Sequence, residues 1–460
     1  MCEFIHKGNT DSTLQELTIT EDQEILSERL LMDEVLDKLE EELAHFVTFA
    51  FCDIEGNLKE IIIPVDQAKT ALRYGLSLSE NNLLIKPDLH TLRFLPWTTD
   101  IHRTAWFMCT VYKNQLEPYE ADPRAILAAL TKNANNLGYT FNAGIELDFF
   151  LLEKNEQGSL VPSDQVNYLD PEHNLTKQQE INLIIHALRD FNIDIEKIDH
   201  GIANGQWRIT LKSGNALQIA DNTISCKYAL KVLTKQLRQH ITFMPKPFYD
   251  KNANKMQINY TLFDIEKNKN AFYDTLDPFK LSVIAKQFLA GNLERAIETS
   301  SLFSSTINSY KQRAHELQAY NCWSPSNYNT MFNSIITNQD EREERLYLKT
   351  KIADCTSNIY LLLSALLKSG MHGIKNVKLL GNPIDEGDIN NNGISPEQVD
   401  FLNLTEWPTN LSEALTMFEK SNFTKQLLST IGHSKYTELK QAELREYNSC
   451  ITDWELKKYL

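Results

Sequence analysis

Two acidic residues stand two positions apart in an otherwise apolar stretch of this 460-residue chain. Glu146 and Asp148 occupy alternate positions of the segment Gly144-Ile-Glu-Leu-Asp-Phe-Phe150. Because successive side chains of a β-strand point to opposite faces, the stretch predicts both carboxylates on one face of a sheet. Carboxylates placed in this way attract cations, and on a strand they are commonly ion-pair partners or solvent-facing residues.

Other patterns that carry chemistry are absent from the sequence. No glycine-rich phosphate loop of the G-x-x-x-x-G-K-S/T kind occurs, and the eleven histidines include no pair at the spacing of helical metal ligands. The seven cysteines are an odd number without a C-x-x-C pair. Neither a disulfide framework nor a zinc site is therefore indicated.

Composition and charge narrow the class of protein. A content of 42% hydrophobic and 23% charged residues is typical of a globular chain large enough for two or three domains. A formal net charge of −16, without a basic cluster, repels phosphate backbones, so we expect no nucleic-acid partner. No stretch approaches the roughly 18 uncharged apolar residues of a membrane span, and the amino terminus lacks a signal-peptide pattern. We therefore expect a cytoplasmic protein without a membrane partner.

The acidic residues are concentrated near the amino terminus. Residues 1–45 contain thirteen aspartates and glutamates but only three lysines and arginines. Apolar residues recur there at three-and-four spacing, which predicts a helix over Glu21 to Leu43 with one apolar face. That face either packs on its own domain or docks to a partner or a neighbouring subunit.

The next segment predicts a small β-rich domain that ends near residue 120. Period-two patterns predict a hairpin of Phe46–Asp53 and Leu58–Pro64, followed by strands around Leu83–Leu95 and Thr104–Tyr112. Asp122-Pro123-Arg124 then opens a helix, with proline in its first turn.

The remainder of the chain predicts an α+β domain. Strands at 144–152, 207–211 and 256–263 alternate with helices at 123–137, 176–191, 219–239 and 279–298. The segment Gly381 to Gly393, with its run of asparagines, is typical of a surface turn.

A series of short segments, in the same order along the chain, resembles glutamine synthetase of the bacterial dodecameric type. The resemblance extends from about residue 46 to the end. The matching segments are Pro87-Asp-Leu89, Pro96-Trp97, Asp122-Pro-Arg124, Gly144-Ile-Glu-Leu-Asp-Phe-Phe150, Ala203-Asn-Gly-Gln206, Ala220-Asp-Asn222, Lys227-Tyr228, Phe243-Met-Pro-Lys-Pro247, Asn308-Ser-Tyr-Lys311, Asn358-Ile-Tyr-Leu361, Gly373-Ile-Lys-Asn376 and Trp454-Glu-Leu-Lys-Lys-Tyr-Leu460.

The resemblance implies an architecture and an assembly. A small N-terminal β-grasp domain, at 46–121, is followed by the glutamine synthetase catalytic fold at 122–460, a curved antiparallel sheet flanked by helices. The acidic helical extension, 1–45, precedes both. The resemblance also implies a homo-oligomeric ring, possibly a dodecamer, or co-assembly with an active glutamine synthetase.

The reaction of the family needs divalent metals. ATP phosphorylates the γ-carboxylate of glutamate, and ammonia displaces the phosphate, so two anions must be brought together. The family surrounds its metals with carboxylates and a histidine. By resemblance, those positions fall on Glu146, Asp148, Gly201, Arg208, Gln257 and Lys349.

Four of these six positions lack the family's ligand, and two carry a positive charge. Relative to the family, the set has lost about five negative charges. A cation about 4 Å from a divalent ion costs roughly 8 kcal/mol at an effective dielectric near 20. We therefore expect no metal and no other cofactor, and we predict that Arg208 and Lys349 pair with Glu146 and Asp148 in place of the ions.

The substrate positions also depart from the family pattern. Three arginine positions carry Gln312, Tyr328 and Lys351, and the catalytic glutamate position falls on Glu316 or Gln318. Asn252 keeps the asparagine that binds glutamate in the family. A loop that reaches into the neighbouring subunit's site is deleted between Tyr74 and Asn82. We accordingly expect no functional catalytic residue.

These departures favour a pseudoenzyme with a binding, regulatory or structural role linked to nitrogen metabolism. The alternative is an active ATP-dependent ligase, joining glutamate to ammonia or another amine through an altered site, which would need Mg²⁺ and ATP. A shift of the cleft alignment is a third possibility, against which the flanking segments argue.

Overall fold

The computed structural model describes residues 15–78, 82–166, 168, 175–311, 320–325, 330–336, 346–384, 389–390, 393–394 and 396–460. These residues form two units. The first combines the described residues up to Phe51 with Glu60–Glu117, and the second combines Cys52–Lys59 with Pro118–Leu460. Among the described residues, every helix is too short or too polar to cross a membrane.

The first unit is built on a six-stranded mixed sheet in the order β2-β1-β6-β4-β3, with β5 also paired to β6. Strands β1 and β6 are parallel, and β6 is antiparallel to β4 and β5. Its elements are α1 (Gln15–Glu41), β1 (Phe46–Cys52), β2 (Leu58–Pro64), α2 (Ala68–Tyr74), β3 (Leu76–Leu78), β4 (Leu83–Pro87), β5 (Arg93–Phe94) and β6 (Thr104–Tyr112).

The predicted strand around Leu83–Leu95 is two strands rather than one. A 3₁₀ turn at Leu89–Thr91 separates β4 from β5. Asp88 starts this turn, because its side chain accepts a hydrogen bond from the backbone N–H of His90. The aspartate after Pro87 thus ends the strand by satisfying the backbone locally.

The predicted amino-terminal helix is confirmed and begins earlier than expected. Val35 and Leu39 of α1 are each only 2% exposed, so this part of the apolar stripe is buried. Leu30 and Leu26, further towards the amino terminus, are 62% and 57% exposed.

The second unit is an α+β structure, as the sequence predicts. Its helices are α3 (Pro123–Asn136), α4 (Leu175–Asp190), α5 (Ala216–Gln236), α6 (Val283–Arg295), α7 (Ser300–Phe303), α8 (Ile307–Lys311), α9 (Ile359–Lys375), α10 (Pro396–Phe401), α11 (Leu411–Lys420), α12 (Asn422–Ser449) and α13 (Asp453–Tyr459). Its strands are β7 (Tyr139–Lys154), β8 (Leu160–Pro162), β9 (Ile195–His200), β10 (Gln206–Leu211), β11 (Gly214–Asn215), β12 (His240–Thr242), β13 (Met256–Asp264), β14 (Lys269–Asn270), β15 (Tyr320–Asn321), β16 (Trp323–Ser324), β17 (Phe332–Ile336), β18 (Leu346–Ala353), β19 (Ile389–Asn390), β20 (Gly393–Ile394) and β21 (Thr405–Glu406).

The main sheet of this unit has β7 near its centre, in the order β16-β17-β18-β13-β7-β10-β9. Strand β7 is antiparallel to both β10 and β13. Side chains on one face of β7 are apolar, and Ile145, Leu147 and Phe149 are completely buried. The core therefore lies on this face, and the polar side chains of the same strands lie on the other.

Two predicted helices have different bounds. The helix predicted at 219–239 ends at Gln236, because Arg238 adopts a left-handed conformation (φ 58°) before β12 begins. The helix predicted at 279–298 is α6, which begins after Ser282; this serine caps it by accepting from the N–H of Ala285. Of the predicted turn at Gly381–Gly393, the described residues include the two-stranded pairing of β19 with β20.

Helices α6 and α9 approach each other at backbone distance. A Cβ atom added to Gly373 would lie 2.0 Å from the carbonyl oxygen of Gln287, and one added to Gly291 would lie 2.2 Å from that of Ser369. Backbone atoms on both sides leave no flexible side chain to yield. The crossing therefore depends on both glycines.

We expect Gly373→Ala to destabilise the protein by about 1–3 kcal/mol or more, as overpacking of a rigid contact does. Urea unfolding would measure the change. Gly381→Ala is the matched control, since a Cβ there meets nothing within 4 Å. Equal stability of the two variants would contradict the role of this crossing.

Candidate functional site

The strand register brings the predicted site residues onto one polar face of the main sheet. On β7, Asp148 stands opposite Arg208 of β10, and Glu146 stands opposite Gln257 of β13. Lys349 of β18 lies one strand further, opposite Asn259 of β13. Five of the positions inferred from the resemblance thus lie close together, two on β7 and one each on β10, β13 and β18.

Arg208 forms a two-point ion pair with Asp148. Its Nε atom lies 2.6 Å from Oδ1 and its Nη2 atom 3.1 Å from Oδ2. The backbone N–H of Lys255 also donates to Oδ2 at 3.2 Å. Burial opposes the charge of Arg208, but the hydrogen bond and attraction from Asp148 outweigh it and raise the pKa of the guanidinium. Burial also raises the pKa of Asp148, and the hydrogen bond and charge of Arg208 offset this only in part.

Lys349 forms the second pair, with Glu146. The Nζ–Oε1 distance is 2.7 Å, and the two side chains are 8% and 13% exposed. Asn259 Nδ2 lies 3.3 Å from the same oxygen. Burial raises the pKa of Glu146, but the charge and hydrogen bond of Lys349, together with Asn259, outweigh it and lower the pKa below its ordinary value. The predicted pairing of these two cations with these two carboxylates is confirmed.

Gly201 follows β9 and leads into the tight turn towards β10. Its N–H donates to the carbonyl oxygen of Gln206 at 2.6 Å. A Cβ at this position would lie 2.7 Å from Cγ and 2.8 Å from Oε1 of Gln206. A glutamate therefore cannot be placed here without moving the buried Gln206 side chain.

The donor set does not fit a divalent metal ion. Both carboxylates already bind cationic side chains, and Gly201 offers no ligand. Gln257 supplies only a neutral amide, which is 8% exposed. Within the described part of the chain, no group of three His, Cys, Asp or Glu residues is arranged to hold a metal. Magnesium prefers carboxylate and phosphate oxygens in an octahedral arrangement, which this cation-rich face does not offer.

Lys351 adds a further positive charge to the same face. It lies two residues after Lys349 on β18, and it is partly buried. Burial, and then the charges of Lys349 and Lys255, lower the pKa of Lys351 to about 8. The nearby carboxylate of Glu146 acts in the opposite direction and raises this pKa.

Asn252 is exposed in the turn before β13, whereas Asn254, two residues later, is completely buried. Asn254 Nδ2 donates to the carbonyl oxygens of Thr242 and Met244, and its Oδ1 accepts from Gln206 Nε2 at 3.2 Å. Asn254 thus orders this turn. Sequence reasoning missed it, because its role depends on partners far along the chain.

A buried histidine–aspartate pair was also missed. His200 Nε2 lies 3.1 Å from Asp164 Oδ1, and His200 Nδ1 lies 2.8 Å from the carbonyl oxygen of Gly201. Burial lowers the pKa of His200, but Asp164 and Gly201 outweigh it and raise the pKa. Both ring nitrogens face acceptors, so the geometry favours the imidazolium. The pair fixes the loop before α4 against the turn after β9.

Several predicted positions lie outside the described residues. They are Gln312, Tyr328, Glu316, Gln318 and part of the segment between Tyr74 and Asn82. Their roles stay predictions.

Comparisons with known proteins identify relatives over nearly the whole chain. The glutamine synthetase catalytic-domain family matches residues 120–459. Glutamine synthetase of Thermotoga maritima is 33% identical over 440 residues, which is 92% of this chain and 98% of the relative. That of Clostridium saccharobutylicum is 30% identical over 443 residues, or 93% and 98%.

Solved structures share the fold. Ligand-free GmaS superposes with a TM-score of 0.80 and 22% sequence identity, over 92% of this chain and 98% of that one. The GmaS complex with ADP gives the same TM-score at 21% identity, over 92% and 99%. At this identity, the likeness supports the α+β fold alone.

We expect Lys349→Met to destabilise the protein by about 3–5 kcal/mol, because it leaves the Glu146 carboxylate buried without its cation. Adding Glu146→Gln should restore most of the lost stability, since the unpaired buried charge is then removed. Chemical denaturation of both single variants and the double variant gives the coupling free energy.

Lys38→Met is the control for this cycle. Lys38 and Glu34 form an ion pair at 2.7 Å on the surface of α1, with side chains 50% and 58% exposed. Such a pair contributes about 0–1 kcal/mol. A double variant at the sheet as unstable as Lys349→Met would contradict compensation between the two charges.

Lys351 predicts a specific pH dependence of stability. Its folded pKa of about 8 is below the ordinary lysine value of 10.5, so between these values the unfolded chain binds more protons. Stability contributed by this group therefore rises with pH through that window. Lys351→Met should lack this rise in stability, whose size we expect to be on the order of 1 kcal/mol. Parallel urea titrations at pH 7 and pH 10 test it; an unchanged pH difference would be inconsistent with a depressed pKa.

Proposed function

Because this chain belongs to the glutamine synthetase family, we propose that it is a family member without metal-dependent glutamate–ammonia ligase activity. It would act as a binding, regulatory or structural protein linked to nitrogen metabolism. The observation that carries the proposal is that Arg208 and Lys349 lie within 2.7 Å of the carboxylates of Asp148 and Glu146. These are the carboxylates that, by resemblance, would bind the metals.

Repulsion between these two cations and a divalent ion supports the proposal. A divalent ion at these carboxylates would stand close to two fixed cations. At about 4 Å and an effective dielectric near 20, each cation would oppose the ion by roughly 8 kcal/mol. Displacing the cations instead would break two hydrogen-bonded pairs and leave the charges without partners. Either route makes metal binding of the family type unfavourable.

The substrate position Lys351 supports the same proposal. By resemblance it stands where the family has an arginine, which grips a carboxylate or phosphate with a planar two-point fork. Lys351 supplies one compact ammonium group, and its pKa of about 8 leaves part of the population uncharged near neutral pH. A lysine in place of the arginine therefore lacks the planar two-point geometry and carries only part of the positive charge.

The second candidate is an active ATP-dependent carboxylate–amine ligase with an altered site, using Mg²⁺ and ATP. Kinship favours it, since relatives at 33% and 30% identity over more than nine tenths of the chain are glutamine synthetases. This candidate requires a metal or phosphate site built from other residues of the chain.

We further propose that the chain forms a homo-oligomeric ring, possibly a dodecamer, or co-assembles with an active glutamine synthetase. The match to its relatives over 98% of their length supports this proposal. Size-exclusion chromatography with light scattering, alone and mixed with an active relative, would measure the assembly.

The two functions are separated by a hydroxamate assay. Purified protein is mixed with glutamate, ATP, hydroxylamine and Mg²⁺ or Mn²⁺, and γ-glutamyl hydroxamate is measured. We expect no product above background, because the site cannot hold the ions that join the two anions. Turnover in the ordinary enzymatic range, about 1–10³ s⁻¹, would favour the ligase instead.

A charge-reversed variant is the matched control for metal exclusion. Arg208→Glu with Lys349→Glu places four carboxylates at the positions that the resemblance assigns to the metals, and it removes both opposing cations. We expect this variant to bind Mn²⁺, detected by loss of the free Mn²⁺ electron paramagnetic resonance signal, while the unchanged protein does not. Equal Mn²⁺ binding by both proteins would contradict exclusion by these two cations.

A further inference from the structure

A cavity lies between α4 and the edge of the main sheet, within the second unit. Its volume is about 280 Å³, and the described residues that line it belong to α4, β9, β10 and the segment before α4. A closed apolar cavity of about 150 Å³ is large enough to hold benzene. This cavity therefore has room for a small molecule of one or two rings.

The cavity is on the opposite face of the sheet from the two ion pairs. On the sheet side it is lined by Ile198 of β9 and Trp207 of β10. Trp207 directly precedes Arg208, and Ile198 directly precedes Asp199, which stands opposite Arg208. Because successive side chains of a strand point to opposite faces, Ile198 and Trp207 lie on the face that carries the core. The cavity is therefore distinct from the polar face.

The lining of the cavity is mostly apolar, with a few polar groups. The apolar side chains that line it are Val166, Ile181, Ile185, Ile198 and Trp207. The polar lining includes Asp164 and the exposed amides Gln178 and Asn182. Pockets that bind small molecules have this composition, in which apolar walls supply affinity and a few polar groups fix the orientation of the ligand.

The carboxylate of Asp164 has one oxygen that is fully engaged and one that is not. Oδ1 accepts from the backbone N–H groups of Gly205 at 2.8 Å and Val166 at 3.2 Å, and it lies 3.1 Å from His200 Nε2. Oδ2 is buried and has no hydrogen-bond partner among the described residues. A buried acceptor without a donor is unfavourable. A ligand that supplies a donor would therefore stabilise this carboxylate.

The charged groups that line the cavity already have counter-ions. Asp164 faces the imidazolium of His200, both of whose ring nitrogens lie next to acceptors. Lys177 pairs with Glu180, with an Nζ–Oε2 distance of 3.0 Å. A ligand with a net charge would enter this mostly apolar cavity without a counter-ion, which is costly. The arrangement therefore favours an uncharged ligand.

We infer that this cavity binds a small uncharged molecule with an apolar body of one or two rings and one O–H or N–H donor. The apolar body packs against the isoleucines and Trp207, and the donor forms a hydrogen bond with Oδ2 of Asp164. The inference goes beyond the proposed function and does not depend on it, since the cavity and the two ion pairs lie on opposite faces of the sheet.

Calorimetric titration of the full chain with phenol tests the inference, because phenol combines one ring with one O–H donor. We expect saturable binding of phenol. Anisole keeps the ring but lacks the donor, and it should bind at least tenfold more weakly, which corresponds to about 1.4 kcal/mol.

Two substitutions on α4 form a matched pair for this experiment. Ile185 lines the cavity, so Ile185→Trp should fill it and abolish phenol binding. Leu183 is 59% exposed and is not among the described residues that line the cavity. Leu183→Trp adds the same bulky side chain to the same helix and should leave the affinity for phenol unchanged.

The possible outcomes either support the inference or overturn it. Phenol binding that requires the O–H group and is lost in Ile185→Trp supports it. Absence of phenol binding, equal binding by Ile185→Trp, or equal binding of anisole to the unchanged protein overturns it. Tighter binding of benzylamine, which carries an ammonium group, would also overturn it, because the ligand would then be a cation. None of these results depends on the hydroxamate assay, so the inference and the proposed function can fail independently.

Discussion

Two cross-strand ion pairs determine the character of the polar face of the main sheet. Asp148 and Glu146 are nearly buried, with side chains 5% and 13% exposed, and a carboxylate at such a position must be neutralised, paired with a cation or bound to a metal. Arg208 and Lys349 provide the pairing at 2.6 and 2.7 Å. Cation and metal compete for the same oxygens, so the presence of the first is the physical reason to exclude the second.

The sheet determines where the side chains of the two ion pairs lie. Alternate residues of β7 bury Ile145, Leu147 and Phe149 in the core, which fixes the register of the strand and hence the direction of both carboxylates. Antiparallel pairing with β10 and β13 then places Arg208 and Gln257 directly opposite them. The apolar face thus determines the geometry of the polar one, and the scaffold can be preserved while the chemistry of its polar face is changed.

Sequence reasoning identified much of this arrangement, and its failures have physical causes. The alternation in β7 predicted that Glu146 and Asp148 share a face, and the resemblance to the family placed Arg208 and Lys349 beside them. Strand β9 was missed, because Ile195-Glu-Lys-Ile-Asp-His200 has no clean period-two pattern, as expected of a strand at the sheet edge. The pair of His200 with Asp164 joins residues 36 positions apart. No local pattern predicts such a contact, and the depressed pKa of Lys351 likewise depends first on its burial in the folded protein.

Cationic side chains, rather than apolar ones, neutralise these two carboxylates. Replacing a buried ion pair by well-packed apolar residues is often neutral or stabilising, so stability alone does not require Arg208 and Lys349. An apolar replacement would, however, close the polar face and add it to the core. Paired charges instead keep this face of the sheet polar. The proposed binding function would use such a polar face, whereas a purely structural remnant would not need one.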